Sequence, residues 1–204
     1  LEAALQSQRR FVADASHELR TPLTTIRGNA HLLRRGDALP PADRAEMVDQ
    51  VASEAERMAR LVADLLTLAR ADGGLTPARQ GVMLRPLLES VAAQGRSLAG
   101  GRVAVSVIPF TGDGDLEVDG DPDALRQLVL ALVDNAVKYT PPGGAVSLAL
   151  SAIPGSGMAQ LSVIDTGMGI APEDLPLVFD RFFRADRSRH TAGSGLGLAI
   201  ARWI

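Results

Sequence analysis

The sequence predicts an α+β protein in two parts: an N-terminal helical hairpin that forms a four-helix bundle with a second copy, then an α/β sandwich. Three observations predict it. Apolar residues recur at helical spacing over residues 5–33 and again over residues 47–71. Gly36, Pro40 and Pro41 interrupt the two stretches. Beyond residue 82 the pattern changes to short β-type runs alternating with helices.

In the first stretch Leu5, Val12, Leu19, Leu23, Ile26, Ala30 and Leu33 fall on one face at about 100° per residue. The second carries Met47, Val48, Val51, Ala55, Met58, Leu61, Val62, Leu65 and Leu68 in the same manner. Two amphipathic helices cannot cover each other's stripes completely, so the hairpin is expected to form a homodimer. Residues 1–72 are expected to be this first domain, residues 72–81, rich in Gly, Pro and Thr, a linker, and residues 82–204 a second domain. Expected strands there cover residues 103–108, 116–118, 145–152 and 159–164. Expected helices cover 85–98 and 122–139, with a third starting near Gly195.

The 204 residues suffice to bury a core, and 46% of them are apolar. A net charge of −3 and a pI near 5.6 leave no basic footprint for DNA or RNA. Cysteine is absent, which excludes disulfides and thiolate metal sites and fits a reducing, cytoplasmic setting. The longest aliphatic run, residues 128–133, falls far short of the roughly 20 apolar residues that span a bilayer, so this segment is expected to make no membrane contact. The chain opens in mid-helix and reads as part of something longer, whose upstream region is a candidate inner-membrane anchor.

The chemistry begins at His17, in the run His17-Glu18-Leu19-Arg20-Thr21-Pro22-Leu23. On a helix the apolar stripe lies roughly 160–240° from His17, which therefore faces solvent with Thr21 on its side. An exposed neutral imidazole is a nucleophile near pH 7, and the neighbouring Glu18 carboxylate is suited to take the proton from its other nitrogen. Pro22 removes a backbone hydrogen bond in mid-helix, a cost of about 3 kcal/mol that suggests a use for bending there. Taken alone, His17 would read as an ordinary solvated side chain.

A second constellation runs Asp134-Asn135-Ala136-Val137-Lys138-Tyr139-Thr140-Pro141. The Asn135 side-chain oxygen is a hard ligand suited to Mg²⁺ beside triphosphate oxygens, and Lys138 follows three residues on along the same face. A helix end where lysine complements the dipole accounts for Lys138 alone. Lys138 is also the single lysine of the chain.

Two glycine clusters follow. Asp165-Thr166-Gly167-Met168-Gly169 comes after an apolar run and offers a carboxylate to an exocyclic amine such as that of adenine. Gly193-Ser194-Gly195-Leu196-Gly197 precedes a helix and offers bare N–H groups to phosphate. Neither matches a phosphate loop or a dinucleotide fingerprint. Between them, residues 178–184 hold Phe179, Phe182, Phe183 and Arg184, and with residues 186–192 they suggest a lid anchored by phenylalanine.

In this order and spacing the motifs resemble the sensor histidine kinases of two-component systems. Residues 17–23 resemble the H box, 135–141 the N box, 165–169 the first glycine box, 179–184 the F box and 193–197 the second glycine box. The resemblance implies an enzyme that binds ATP and Mg²⁺ in the second domain, phosphorylates His17 and passes the phosphoryl group to an aspartate of a cognate response regulator receiver domain. It implies Glu18 as base and Thr21 as the residue orienting water for regulator dephosphorylation. It assigns Asn135 to the metal, Asp165, with Gly167 and Gly169, to adenine, and Lys138, Tyr139, Arg184, Gly193, Gly195, Leu196 and Gly197 to the nucleotide.

The sequence departs from the family pattern at Ala131, where a further Asn is usual four residues before Asn135, and that removes a polar group from beside the metal. The chain also stops at Ile204, short of the residues with which relatives complete this helix and a closing strand pair. A gyrase-like, chaperone-like or mismatch-repair ATPase would place a catalytic Glu at position 131 and lack the His17 helix. A scaffold that has lost kinase activity is favoured by Ala131 alone.

Overall fold

The structure, a computed structural model, describes residues 2–35, 39–72, 79–110, 115–185 and 193–204. It divides into two compact units, residues 1–73 and 74–204.

The first unit is a hairpin of α1 (Glu2–Arg34) and α2 (Pro41–Asp72) packed against each other. The facing sides carry the less exposed residues at heptad-like intervals, Phe11, Ala15, Leu19, Pro22, Ile26 and Leu33 on α1 and Met47, Val51, Met58, Leu61, Leu65 and Leu68 on α2. Val12, Leu23, Val48, Val62 and Leu66 look outward and remain between 43% and 57% exposed. Among the described residues the hairpin thus carries a second, exposed apolar side. A polar tie also fixes the hairpin, with the Asn29 side-chain amide donating to Gln50 at 3.0 Å.

The second unit comprises β1 (Gln80–Met83), α3 (Leu84–Ala99), β2 (Ala104–Val107), β3 (Glu117–Gly120), α4 (Pro122–Tyr139), β4 (Ala145–Ile153), β5 (Met158–Asp165) and α5 (Gly197–Trp203). β1 and β3 form an antiparallel pair; β2, β4 and β5 form a sheet in that order, parallel then antiparallel. Helices α3 and α4 cover the three-stranded sheet. Leu88, Val91 and Ala92 of α3, Val129, Val133 and Val137 of α4, and Val146, Leu148 and Leu150 of β4 make the core. Burying each of the larger side chains contributes about 1.5–3 kcal/mol. At Gly95 the layers come closest: a Cβ there would lie 2.7 Å from Val133 Cγ1 and 3.2 Å from Val105 Cγ1.

Several boundaries differ from expectation. The linker read over residues 72–81 is shorter, since Asp72 ends α2 while Gln80 and Gly81 lie in β1; its residues 73–78 lie outside the described residues. β1 escaped notice because only Val82 of its four residues points inward, and Gly81 blurs the alternation. Its partner β3 is Glu117–Gly120 rather than 116–118, set by the pairing of Gln80 with Gly120. β2 ends at Val107, although Ile108 N–H still donates to Leu148 O at 2.8 Å. α3 runs one residue further at each end than the expected 85–98 and stops at Gly100, whose left-handed φ of 54° lets its N–H reach back to Arg96 and Ser97 carbonyls. α5 starts at Gly197, not near Gly195, because Gly195 holds a φ of 72° that no right-handed helix accommodates.

Candidate functional site

In the first unit His17 is exposed on α1, as its projection required. Thr21, one turn on, shares that exposed stripe, and its hydroxyl donates to the His17 carbonyl at 3.5 Å. Glu18 points elsewhere. Its Oε2 lies 3.4 Å from Arg57 Nη2 of α2, and Arg57 Nη1 lies 3.5 Å from Glu54 Oε2. Sequence reasoning did not find Arg57. No local pattern flags a residue whose significance comes from hairpin register.

In the second unit α4 is the organising element. Asp121 caps it, accepting from Asp123 N at 2.8 Å and Ala124 N at 3.2 Å, with Pro122 pre-set for the first turn. At the other end Thr140 is buried and donates its hydroxyl to Ala136 O at 2.7 Å. This fixes where the helix delivers Asn135, Lys138 and Tyr139, all half-buried.

The first glycine cluster is fastened to that helix end. Thr166 exchanges bonds with Ala145, its N–H donating to Ala145 O at 3.0 Å and its hydroxyl accepting from Ala145 N at 2.9 Å. Asp165 Oδ1 accepts from Gly167 N at 2.8 Å, and Met168 N donates to Tyr139 O at 3.3 Å. A Cβ on Gly167 would sit 2.7 Å from Tyr139 O. Glycine is therefore required for close approach here, and Gly169, with a φ of 69°, turns the chain away.

The second cluster closes on the same region. Lys138 Nζ lies 4.8 Å from the Tyr139 ring centroid and abuts Gly193, occupying the place a Cβ would take. Gly195 is tucked against the backbone of Phe182 and Phe183, and its carbonyl accepts from Phe182 N at 3.0 Å. Phe182 itself takes a left-handed φ of 62°. Leu196 is fully buried, Ser194 Oγ accepts from its N–H at 3.3 Å, and a Cβ on Gly197 would lie 3.7 Å from Ala131 Cβ. Arg184 is half-buried; the lid expected over residues 186–192 lies outside the described residues.

The structure therefore brings Lys138 and Tyr139 together with Gly167 and Gly193 across the end of α4. A cleft of about 370 Å³ opens beside them, lined by Arg102, Lys138, Tyr139, Pro141, Gly167 and Met168. Among the described residues no cluster of three or more His, Asp or Glu side chains could hold a metal. Asn135, half-buried on α4, offers a side-chain oxygen of the hard type that Mg²⁺ accepts beside phosphate and water oxygens.

Comparison with known proteins finds two families along the chain. Residues 7–74 match the His Kinase A (phospho-acceptor) domain, and residues 120–204 match the histidine kinase-, DNA gyrase B-, and HSP90-like ATPase family. The signal transduction histidine-protein kinase/phosphatase MprB of Mycolicibacterium smegmatis is 40% identical over 213 residues, covering 100% of this chain and 41% of its own length. The chain thus spans less than half of that relative. A solved mycobacterial sensor histidine kinase MprB is 34% identical with a TM-score of 0.52, over 61% of this chain and 76% of that one. Full-length ShkA in complex with AMPPNP is 31% identical with a TM-score of 0.66, over 95% of this chain and 40% of that one. The chain belongs to the sensor histidine kinases of two-component systems.

Proposed function

We propose that the chain binds Mg-ATP in its second unit, transfers the γ-phosphoryl group to His17, and passes it on to an aspartate of a response regulator receiver domain. The observation that carries this reading is a cleft lined by Lys138, Tyr139 and Gly167, with Gly193 against Lys138, in a chain that also presents an exposed His17. The AMPPNP held by ShkA supports ATP as the ligand.

In this reading Asp165, steadied by Gly167 N–H, receives the adenine amine, and Tyr139 flanks the nucleotide beside Gly169. Lys138 and the backbone of residues 193–197 face the phosphates, with Arg184 at the edge. Mg²⁺, held through Asn135, supplies charge neutralisation at the phosphate oxygens. A nitrogen of His17 attacks the γ-phosphorus, the bond to the bridging oxygen breaks, and ADP departs. The proton of the other ring nitrogen passes to Glu18. Little covalent work falls to the protein, so positioning and charge neutralisation supply most of the rate. Thr21, exposed beside His17, orients water for dephosphorylating the regulator.

The homodimer reading rests on the outward side of the hairpin. Val12 and Leu23, eleven residues apart, differ by about 20° around α1, and Val48, Val62 and Leu66 line one side of α2. Covering that side with a second hairpin completes a four-helix bundle. Dependence on the ATP pool places the activity in the cytoplasm. Incubation with γ-labelled Mg-ATP tests the whole: acid-labile, alkali-stable label is expected on this chain and not on His17→Gln. Equal labelling of His17→Gln would sink the reading.

A further inference from the structure

Glu18 is one residue from His17, yet its carboxylate is engaged across the hairpin. Arg57 Nη2 holds Glu18 Oε2 at 3.4 Å, while Arg57 Nη1 holds Glu54 Oε2 at 3.5 Å from the same helix. The three side chains are 32%, 30% and 27% exposed, so the cluster is neither fully solvated nor locked in the core. Adjacent residues on a helix diverge by about 100°, so a carboxylate turned toward α2 is turned away from an imidazole facing solvent. Among the described residues no hydrogen bond joins Glu18 to His17. Two further features make the arrangement easy to open. Pro22 has no N–H for the Glu18 carbonyl four residues before it, which loosens α1 at this turn. Glu54 leaves Arg57 with a carboxylate after Glu18 has gone, so release strands no charge.

We propose that Arg57 is a positioning residue that parks Glu18 on the α2 side of α1, and that autophosphorylation requires Glu18 to be handed over from Arg57 to His17, with Glu54 keeping the guanidinium. The proposal rests on Glu18 being the proton acceptor. Arg57 sets how often Glu18 is available and touches neither nucleotide nor imidazole.

The test is single-turnover autophosphorylation over a range of Mg-ATP concentrations up to saturation, followed for the unchanged chain, Glu18→Gln, Arg57→Gln, Arg57→Lys, Glu54→Gln and the Glu18→Gln/Arg57→Gln double variant. Arg57→Gln is expected to raise the maximal rate about threefold to tenfold, the span that one partly exposed ion pair commands, with the ATP KM unchanged. Arg57→Lys should fall between the two, because one ammonium replaces a two-pronged fork. Glu54→Gln should move the other way and slow the reaction, since Arg57 then has Glu18 as its remaining carboxylate here. In the Glu18→Gln background Arg57→Gln should have no effect. An undiminished rate in Glu18→Gln would sink the base assignment and the proposal with it. A slow Glu18→Gln together with an unaccelerated Arg57→Gln would overturn the proposal alone. Should Arg57→Gln lose helix content, Glu54→Gln decides: a rate that is unchanged or raised rejects the handover.

Discussion

The ammonium of Lys138 occupies the space that a side chain on Gly193 would need, so the N-box lysine and the second glycine box are complementary in shape where they meet. Gly193→Ala should displace the flexible end of Lys138 and also strain the backbone, which holds a φ of 154° at this glycine. A weakening of AMPPNP binding by about tenfold, or roughly 1.4 kcal/mol, is expected by calorimetric titration. Lys138→Met should cost about as much, and the double variant little more than either. Additive losses would show that the two residues act independently.

Gly167 is a different case, because its neighbours are backbone. A Cβ would meet the Tyr139 carbonyl oxygen at 2.7 Å and its carbon at 3.1 Å, at the buried end of α4. Gly167→Ala should therefore destabilise the second unit by about 1–3 kcal/mol, the usual range for overpacking. Thermal unfolding should register this as a Tm lower by several degrees, and an unshifted Tm would contradict the packing argument.

Position 131 tests the departure from the family pattern. Ala131 faces the start of α5 at Gly197, where the absence of a Cβ leaves room. Ala131→Asn places a second amide one helical turn before Asn135, the proposed Mg²⁺ donor, and should raise the initial rate of His17 labelling severalfold. A drop in rate with normal AMPPNP binding would mean that the small residue is itself required.

Leu23→Glu combined with Val62→Glu places charges on the outward apolar side of the hairpin without touching its inner seam. Sedimentation equilibrium should report a dimer for the unchanged chain, as the proposed bundle requires, and a monomer for this variant. A dimer that survives both charges would place the interface elsewhere.

Much of this architecture could be read from local pattern. The helical periods, the Pro122 start of α4 and the glycine clusters depend on residues close in sequence, so they announced themselves. What stayed hidden depends on register between distant segments. Arg57 is an ordinary helical arginine until the hairpin sets it opposite Glu18, thirty-nine residues away. Gly81 and Gln80 looked like linker because strand identity there comes from pairing with Asp119 and Gly120. The start of α5 slipped by two residues because Gly195 is held by the Phe182 backbone rather than by helical bonding, a contact across the F and second glycine boxes. The nucleotide cluster was legible as a set of residue types, while the fit of Lys138 against Gly193 was not.

The bond from Phe182 N–H to the Gly195 carbonyl has a polymer-physical consequence. It joins the F box to the second glycine box at one point, between residues thirteen apart in sequence. The entropy of bringing two such segments together grows only with the logarithm of their separation, about 0.6 kcal/mol for each doubling. At the joint itself there is no slack: a single methyl on Gly195 would come within 2.8 Å of Phe182 and Phe183 backbone atoms.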